Sequence, residues 1–289
     1  MQPRWSLRRA RVLVGTKFML IAGLVGFVLV TWLVEVIAGL RGSVTLPPLA
    51  AAVMAGIPAV LWLGFFYLMD RHEPEPKQLV AGVCVLGALV AAPLANFAMD
   101  QLAPPLALEA PSFGLLALER ILYAVFVVGL TQEVCKYAVV RYTIYPSREF
   151  DEPMDGIVYM MACGTGFAVW GNYHKLASPI LLSTGAATSV VTTLAHASFA
   201  GVLGYVMGRA KFSRRSAPVR SLLLMCGLLA AATLNGAYHV VNRGLQASGA
   251  SGVPIRELGI AAVFAAAVFG AIWVLSQGLL ARSPFKESA

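Results

Sequence analysis

Charged residues are scarce in this chain. Asp, Glu, Lys and Arg make up 12% of its 289 residues, whereas soluble domains carry roughly 25%. No long polar stretch and no low-complexity segment interrupts the sequence. Hydrophobic residues make up 58%, and the mean hydropathy is +0.75. This composition excludes an ordinary soluble globular protein and favours a protein that crosses a membrane several times.

Sequence patterns of several common site types are also missing. The four cysteines lie in apolar runs without C-x-x-C spacing, so they predict neither a disulfide framework nor a thiolate metal site. No H-E-x-x-H motif is present. The net charge is +8, but the basic residues cluster between apolar runs and form no aromatic-interleaved basic region. We therefore expect no nucleic-acid partner.

Eight apolar runs of about 20 residues remain, each long enough for a membrane helix. Backbone groups in lipid need internal hydrogen-bond partners, and the ten-residue alternation of barrel strands is absent, so the runs must be helices. We predict an all-α fold, a polytopic transmembrane helix bundle with a single membrane domain over residues 17–281. The predicted spans lie near 17–40, 47–69, 78–100, 114–140, 154–177, 182–208, 219–243 and 256–281.

The basic residues sort to one side of these spans. Lys136 lies within a span, five other basic residues fall on one side, and sixteen fall on the other. This asymmetry places both termini in the cytoplasm, with a basic N-terminal segment at 1–16 and a short tail at 282–289. The first apolar run, residues 18–40, exceeds the ~7–15 residues of a signal-peptide core. It therefore predicts a retained first helix.

Ionisable side chains within the predicted spans are the candidate functional residues, because a charge at membrane depth is costly and needs partners. Glu133 and Lys136 are three residues apart on the fourth span, so they share a helix face and can pair. His174, His196 and His239 lie on the fifth, sixth and seventh spans.

These side chains are of the types that hold a catalytic zinc ion, which takes three or four N and O ligands and a water. The candidate metal ligands are Glu133, His174, His196 and His239, with Zn²⁺ as the implied cofactor. Two other interpretations stay open. Each histidine can simply be a hydrogen-bonded packing residue, or Glu133 and a histidine can activate water without a metal.

Several motifs resemble the PrsW family of intramembrane proteases, which is related to the CAAX-processing membrane proteases. In chain order the matching segments are Asp70 to Pro76, Gln132-Glu133-Val-Cys-Lys136, Asp151 to Tyr159, Gly164 to Asn172, His196 to Gly201 and Asn235 to His239. They span about residues 60–242. Each motif alone is weak, but their order and their helices agree with the family.

The resemblance implies an endopeptidase of the metallo- or glutamic type whose site lies within the membrane. By position, the family's catalytic or metal-binding groups are Glu133, His196 and His239, with Lys136 beside them. The implied partners are a membrane-anchored protein or peptide substrate and the lipid bilayer. The implied location is the cytoplasmic (inner) membrane of a prokaryote.

Two positions depart from the family pattern. Gln132 replaces the first glutamate of an E-E pair, and Gly171 replaces a glutamate four residues after Phe167. A glutamine cannot act as a base or an anionic ligand. An alternative function is therefore a catalytically impaired relative that serves as a membrane scaffold or binds transmembrane helices. A second alternative is a proton- or cation-linked transporter, although no inverted repeat with paired broken helices supports it.

Overall fold

The computed structural model describes residues 4–40, 42–70, 75–102, 115–248 and 255–282. These residues fold into ten α-helices and two π-helical turns, Gly87–Ala91 and Tyr123–Gly129. The helices are α1 Arg4–Ile37, α2 Pro48–Tyr67, α3 Lys77–Leu86, α4 Ala92–Leu102, α5 Leu115–Leu122, α6 Leu130–Thr143, α7 Pro153–Leu176, α8 Leu182–Lys211, α9 Ala217–Ser248 and α10 Ile255–Leu280.

The all-α prediction is confirmed for the described residues. The π-helical turns join α3 to α4 and α5 to α6, so these residues form eight long helical segments at the positions of the eight predicted spans. Seven of the segments are long and apolar enough to cross a membrane, and α7 is the exception. The eight-span topology and the cytoplasmic location of both termini therefore stay predictions.

The first helix begins earlier than the predicted span. The segment 1–16 was expected to precede the first helix, but α1 begins at Arg4, since Arg and Leu are good helix formers and extend it beyond the apolar run. The apolar part of α1 begins at Val12. The C-terminal tail beyond residue 282 and residues 71–74 of the first family motif lie outside the described residues.

The helix α7 lies at the centre of the bundle. Most of its side chains are buried, and it packs against α2, α3 and, along most of its length, α8. Polar residues such as Asp155, Thr165 and Asn172 explain why it falls short of the apolarity of a lipid-facing helix, yet all three are buried. A polar helix is compatible with a membrane when neighbouring helices shield it from lipid.

Glycines bring α7 and α8 into close contact. A Cβ atom added to Gly204 would collide with the backbone carbonyl of Gly156, and one added to Gly208 would collide with that of Pro153. Further along the same pair, Gly164 lies directly against the carbonyl of His196. Small residues allow helix backbones to approach closely in lipid, and here they fix the distance between the two helices that surround the candidate site.

The turn Tyr123–Gly129 packs against α9 in the same way. Added Cβ atoms at Gly129 and Gly236 would collide with the backbones of Ala232 and Ala124 respectively. A π-helical turn contains an extra residue and is common next to functional sites. This turn ends directly before α6, so its extra residue influences which side chains of α6 face α9.

The glycine contact between α7 and α8 can be tested by replacing Gly204 with Ala. The added methyl group has no room beside the Gly156 carbonyl, so we expect the free energy of unfolding in detergent micelles to fall by about 1–3 kcal/mol. Gly270→Ala on α10 is the matched control, because nothing lies within 4 Å of its added Cβ. Equal stability of the two variants would contradict the packing described here.

Candidate functional site

A buried ion pair lies at the centre of the candidate site. Lys136 Nζ donates to Glu133 Oε1 at 2.7 Å, and neither side chain is exposed. The pair predicted from the three-residue spacing is therefore formed. Lys136 Nζ also lies 4.5 Å from the centre of the Phe167 ring on α7. A buried charge pair is tolerated only when further partners satisfy it, so its surroundings are decisive.

Asn235 of α9 is one of those partners. Its amide nitrogen donates to Glu133 Oε1 at 2.8 Å and to Gln132 Oε1 at 3.0 Å. Asn235 begins one of the sequence motifs but was not among the predicted site residues. The available signal was its position four residues before His239, which places the two on one face of α9.

The second oxygen of Glu133 is available for chemistry. Glu133 Oε2 is buried and has no hydrogen-bond partner among the described residues. Most buried polar atoms in folded proteins are hydrogen-bonded, and an exception calls for an explanation such as a catalytic role or a water. One oxygen of this carboxylate is thus held by two donors, while the other accepts no hydrogen bond from the residues that the structure describes.

His196 of α8 completes the cluster. Its Nδ1 lies 3.3 Å from Lys136 Nζ, and its ring lies 5.2 Å from that of Phe167. A lysine ammonium has only donors, so Nδ1 accepts and the neutral ring carries its proton on Nε2. The side chain is only partly buried, so the ring joins the buried ion pair to more open space.

The two other predicted histidines lie in different surroundings. His239 is half-buried and close enough to His196 to interact with it electrostatically. His174 is exposed, and its ring lies 4.7 Å from that of Trp170 and 5.2 Å from that of Tyr173. The structure therefore brings together Glu133, Lys136 and His196, places His239 nearby and leaves His174 at the surface.

Comparison with known proteins identifies the family. A sequence model described as "PrsW family intramembrane metalloprotease" matches residues 75–272. The chain belongs to the PrsW family. The match covers every residue of the cluster described above.

Named relatives agree with this assignment. The "Protease PrsW" of Geobacillus kaustophilus is 33% identical over 188 residues, covering 64% of this chain and 77% of the relative. That of Bacillus subtilis is 28% identical over 196 residues, 66% of this chain and 82% of the relative. No solved structure matches the chain. PrsW-family membership and the seven apolar helices make this an integral membrane protein and support a protease function.

The PrsW family is described as metalloproteases, but this arrangement of side chains does not fit a zinc ion at Glu133. The ligand atoms of Glu133, His174, His196 and His239 contribute no group of three within 4.8 Å of one another. A zinc-bound histidine normally donates its second N–H to an acceptor, whereas Nδ1 of His196 accepts from Lys136. The metal-ligand roles of these residues therefore stay predictions.

The two departures from the PrsW pattern have different structural consequences. Gln132 takes part in the cluster, because its Oε1 accepts a hydrogen bond from Asn235. Gly171 leaves space, since a Cβ added there would meet nothing within 4 Å. It lies one turn beyond Phe167, on the same face of α7. The position of the missing carboxylate is therefore an opening beside the cluster.

Replacing Asn235 with Ala tests the role of its amide. The change removes two hydrogen bonds, leaving Gln132 Oε1 without the Asn235 donor and Glu133 Oε1 with Lys136 alone, so we expect a loss of about 1–3 kcal/mol in unfolding free energy. Thr233→Ala on the same helix is the control, since that exposed hydroxyl bonds only within its own helix. Denaturation of both variants in mild detergent measures the difference, and indistinguishable curves would refute the role.

Proposed function

We propose that this chain is an intramembrane endopeptidase of the glutamic type. It hydrolyses a peptide bond in or near a transmembrane segment of a membrane-anchored protein, using water activated by Glu133. The observation that carries this proposal is the buried Glu133 carboxylate, with Oε1 held by Lys136 and Asn235 and Oε2 without a hydrogen-bond partner in the described part of the chain. The bacterial relatives named as proteases support the same reaction class.

Glu133 acts as the general base in this mechanism. Two donors fix the carboxylate through Oε1, so Oε2 takes the proton from the attacking water. A base must lie within hydrogen-bonding reach of the proton that it accepts, and the partner-free Oε2 meets this condition for a water bound against it. The surrounding helices exclude bulk solvent, which strengthens the electrostatic interactions within the site.

His196 and Lys136 supply the acid. The N–H of His196 Nε2 donates a proton to the leaving amine, and the Lys136 ammonium replaces that proton through the contact with Nδ1. The Glu133 proton then passes from Oε2 through an incoming water to His196 Nε2, while the proton on Nδ1 returns to Lys136 across their 3.3 Å contact. One water is consumed, one peptide bond is broken and all three side chains regain their initial protonation states.

The surroundings of the cluster define the class of substrate. Glu133 and Lys136 are fully buried, whereas His196 and Gly171 are partly exposed, so the scissile bond approaches from their side. A substrate helix that unwinds within the membrane exposes backbone N–H and C=O groups that need hydrogen-bond partners. The polar side chains of the Glu133 cluster provide such partners. The protein acts in the cytoplasmic (inner) membrane of a prokaryote.

Replacing Glu133 with Gln tests the role of the base. The amide keeps the shape but cannot accept the proton, so we expect cleavage to fall by at least about 10²–10⁴-fold. Cells lacking the endogenous gene would express either form, and new N-termini in membrane proteins would be quantified by mass spectrometry. Glu119→Gln is the control, because Glu119 is exposed on α5 of the same segment.

The outcomes separate the mechanisms. New N-termini that require Glu133 and persist in Glu119→Gln support the proposal. Undiminished cleavage by a well-folded Glu133→Gln variant would sink it. A purified, active sample can also be treated with a zinc chelator. If its activity disappears and returns with added zinc, a metal mechanism would replace the glutamic one.

A double variant distinguishes a protease from a scaffold that has lost its chemistry. The Cβ of Gly171→Glu would meet nothing within 4 Å, so we expect a change of less than about 0.5 kcal/mol in unfolding free energy. We expect the wild-type chain to cleave without help from Gln132→Glu and Gly171→Glu. Cleavage that is absent from the wild type and arises only in the double variant would support the scaffold function instead.

A further inference from the structure

Four buried carboxylates gather at the start of α7, away from the Glu133 cluster. Asp70 follows α2, Glu75 precedes α3, Glu152 is the N-cap residue of α7, and Asp155 lies in its first turn. Their exposed fractions are 2%, 6%, 2% and 0% respectively. From Asp155 to Phe167, which contacts the catalytic cluster, is about 18 Å along the helix. The proposed proteolytic mechanism uses none of these acids.

Their side chains point toward one another. One oxygen from each of Asp70, Glu152 and Asp155 lies within 4.8 Å of the other two. The carboxyl groups of Glu75 and Asp155 are within hydrogen-bonding distance. Tyr159 OH donates to Glu75 Oε2 at 2.6 Å. Acids separated by more than 80 residues in sequence therefore share one small volume.

Asp155 provides an independent indication that something is bound here. Its Oδ2 accepts the backbone N–H groups of Asp151 and Glu152 at 2.7 and 2.8 Å, as part of a capping box at the start of α7. Its Oδ1 is buried and has no hydrogen-bond partner among the described residues. Leaving a buried carboxylate oxygen unsatisfied costs about 1–3 kcal/mol or more, so a ligand at this atom would be strongly stabilising.

Lys211, a cation near the cluster, is held mainly by other groups. Lys211 Nζ donates to the backbone carbonyls of Tyr145 and Phe150 at 2.6 and 2.7 Å, and it acts on Asp155 electrostatically. Lys211 therefore donates its hydrogen bonds outside the group of acids.

We propose that Asp70, Glu152 and Asp155 bind one divalent cation of the hard, oxygen-preferring class. Carboxylate oxygens without nitrogen or sulfur ligands select Mg²⁺, Mn²⁺ or Ca²⁺ over zinc. Ca²⁺ binds oxygen ligands at about 2.3–2.6 Å, so a single ion between these three grouped oxygens can contact all of them. The ion clamps the segment after α2 onto the first turn of α7.

An opening leads to this cluster from the surface. A cavity of 240 Å³ lies between the ends of α7, α8 and α10, and Glu152 is part of its lining together with Arg209 and Arg282. A buried metal site needs an entry path, and this cavity provides one on the side of the bundle that is predicted to be cytoplasmic. Glu152 is the ligand that connects the cavity to the buried acids.

Manganese binding by the purified full chain in mild detergent tests the proposal. We expect free Mn²⁺, followed by electron paramagnetic resonance, to titrate with one ion per chain and to be released by added Ca²⁺ or Mg²⁺. We expect Glu152→Gln and Asp155→Asn to weaken binding by about tenfold or more. Glu149→Gln is the matched control, because it removes an exposed acid from the same end of the bundle and should leave the affinity unchanged.

Two further variants guard against misfolding and separate the two sites. Asp155 also caps α7, so Asp70→Asn provides a third ligand variant if Asp155→Asn does not fold. Glu133→Gln should bind Mn²⁺ like the wild type, which separates this site from the proteolytic one. The absence of saturable binding to the wild type would overturn the proposal. Loss of binding in Glu133→Gln, or equal binding in Glu149→Gln and all three ligand variants, would overturn it as well.

Discussion

A buried ion pair needs partners, and much of the observed architecture serves to provide them for Glu133 and Lys136. Removing two charges from water costs several kcal/mol per ion, which their attraction repays only when further hydrogen bonds satisfy them. Here α9 contributes the Asn235 amide and α8 contributes the His196 ring. A pair encoded three residues apart on one helix therefore requires two other helices to be in place.

Close contact between helix backbones brings those partners within hydrogen-bonding distance. Glycines let α8 lie against α7 and let α9 lie against the turn Tyr123–Gly129, so short side chains such as Asn235 can reach across the gap. Close packing is also the main source of helix association in lipid, where the hydrophobic effect between helices is absent. The contacts that stabilise the bundle are thus the ones that assemble the site.

The two polar clusters on α7 differ in what they require. At Phe167 the helix passes a carboxylate whose charge is balanced by an ammonium 2.7 Å away, and this arrangement suits proton transfer. At Asp155 several carboxylates meet, with one buried oxygen left without a partner in the described part of the chain. The first cluster includes its own counter-charge, and the second is the proposed cation site.

Hydropathy was enough to predict the helices, because a membrane helix requires an apolar run of a fixed minimum length. The i, i+3 spacing was enough to pair Glu133 with Lys136. The π-helical turns carried no comparable signal, since one extra residue in a turn leaves hydropathy unchanged. Motif similarity identified the family, and within it Gln132 and Gly171 stood out as departures.

Only the tertiary structure decided which polar residues meet. It joined Asn235 and His196 to the ion pair, left His174 at the surface and assembled Asp70, Glu152 and Asp155 from distant segments. The physical reason is that a helix determines which side chains share its own face, whereas the rotation and depth of one helix against another depend on packing between them. Local periodicity therefore predicts the candidate residues, and backbone contact between helices selects among them.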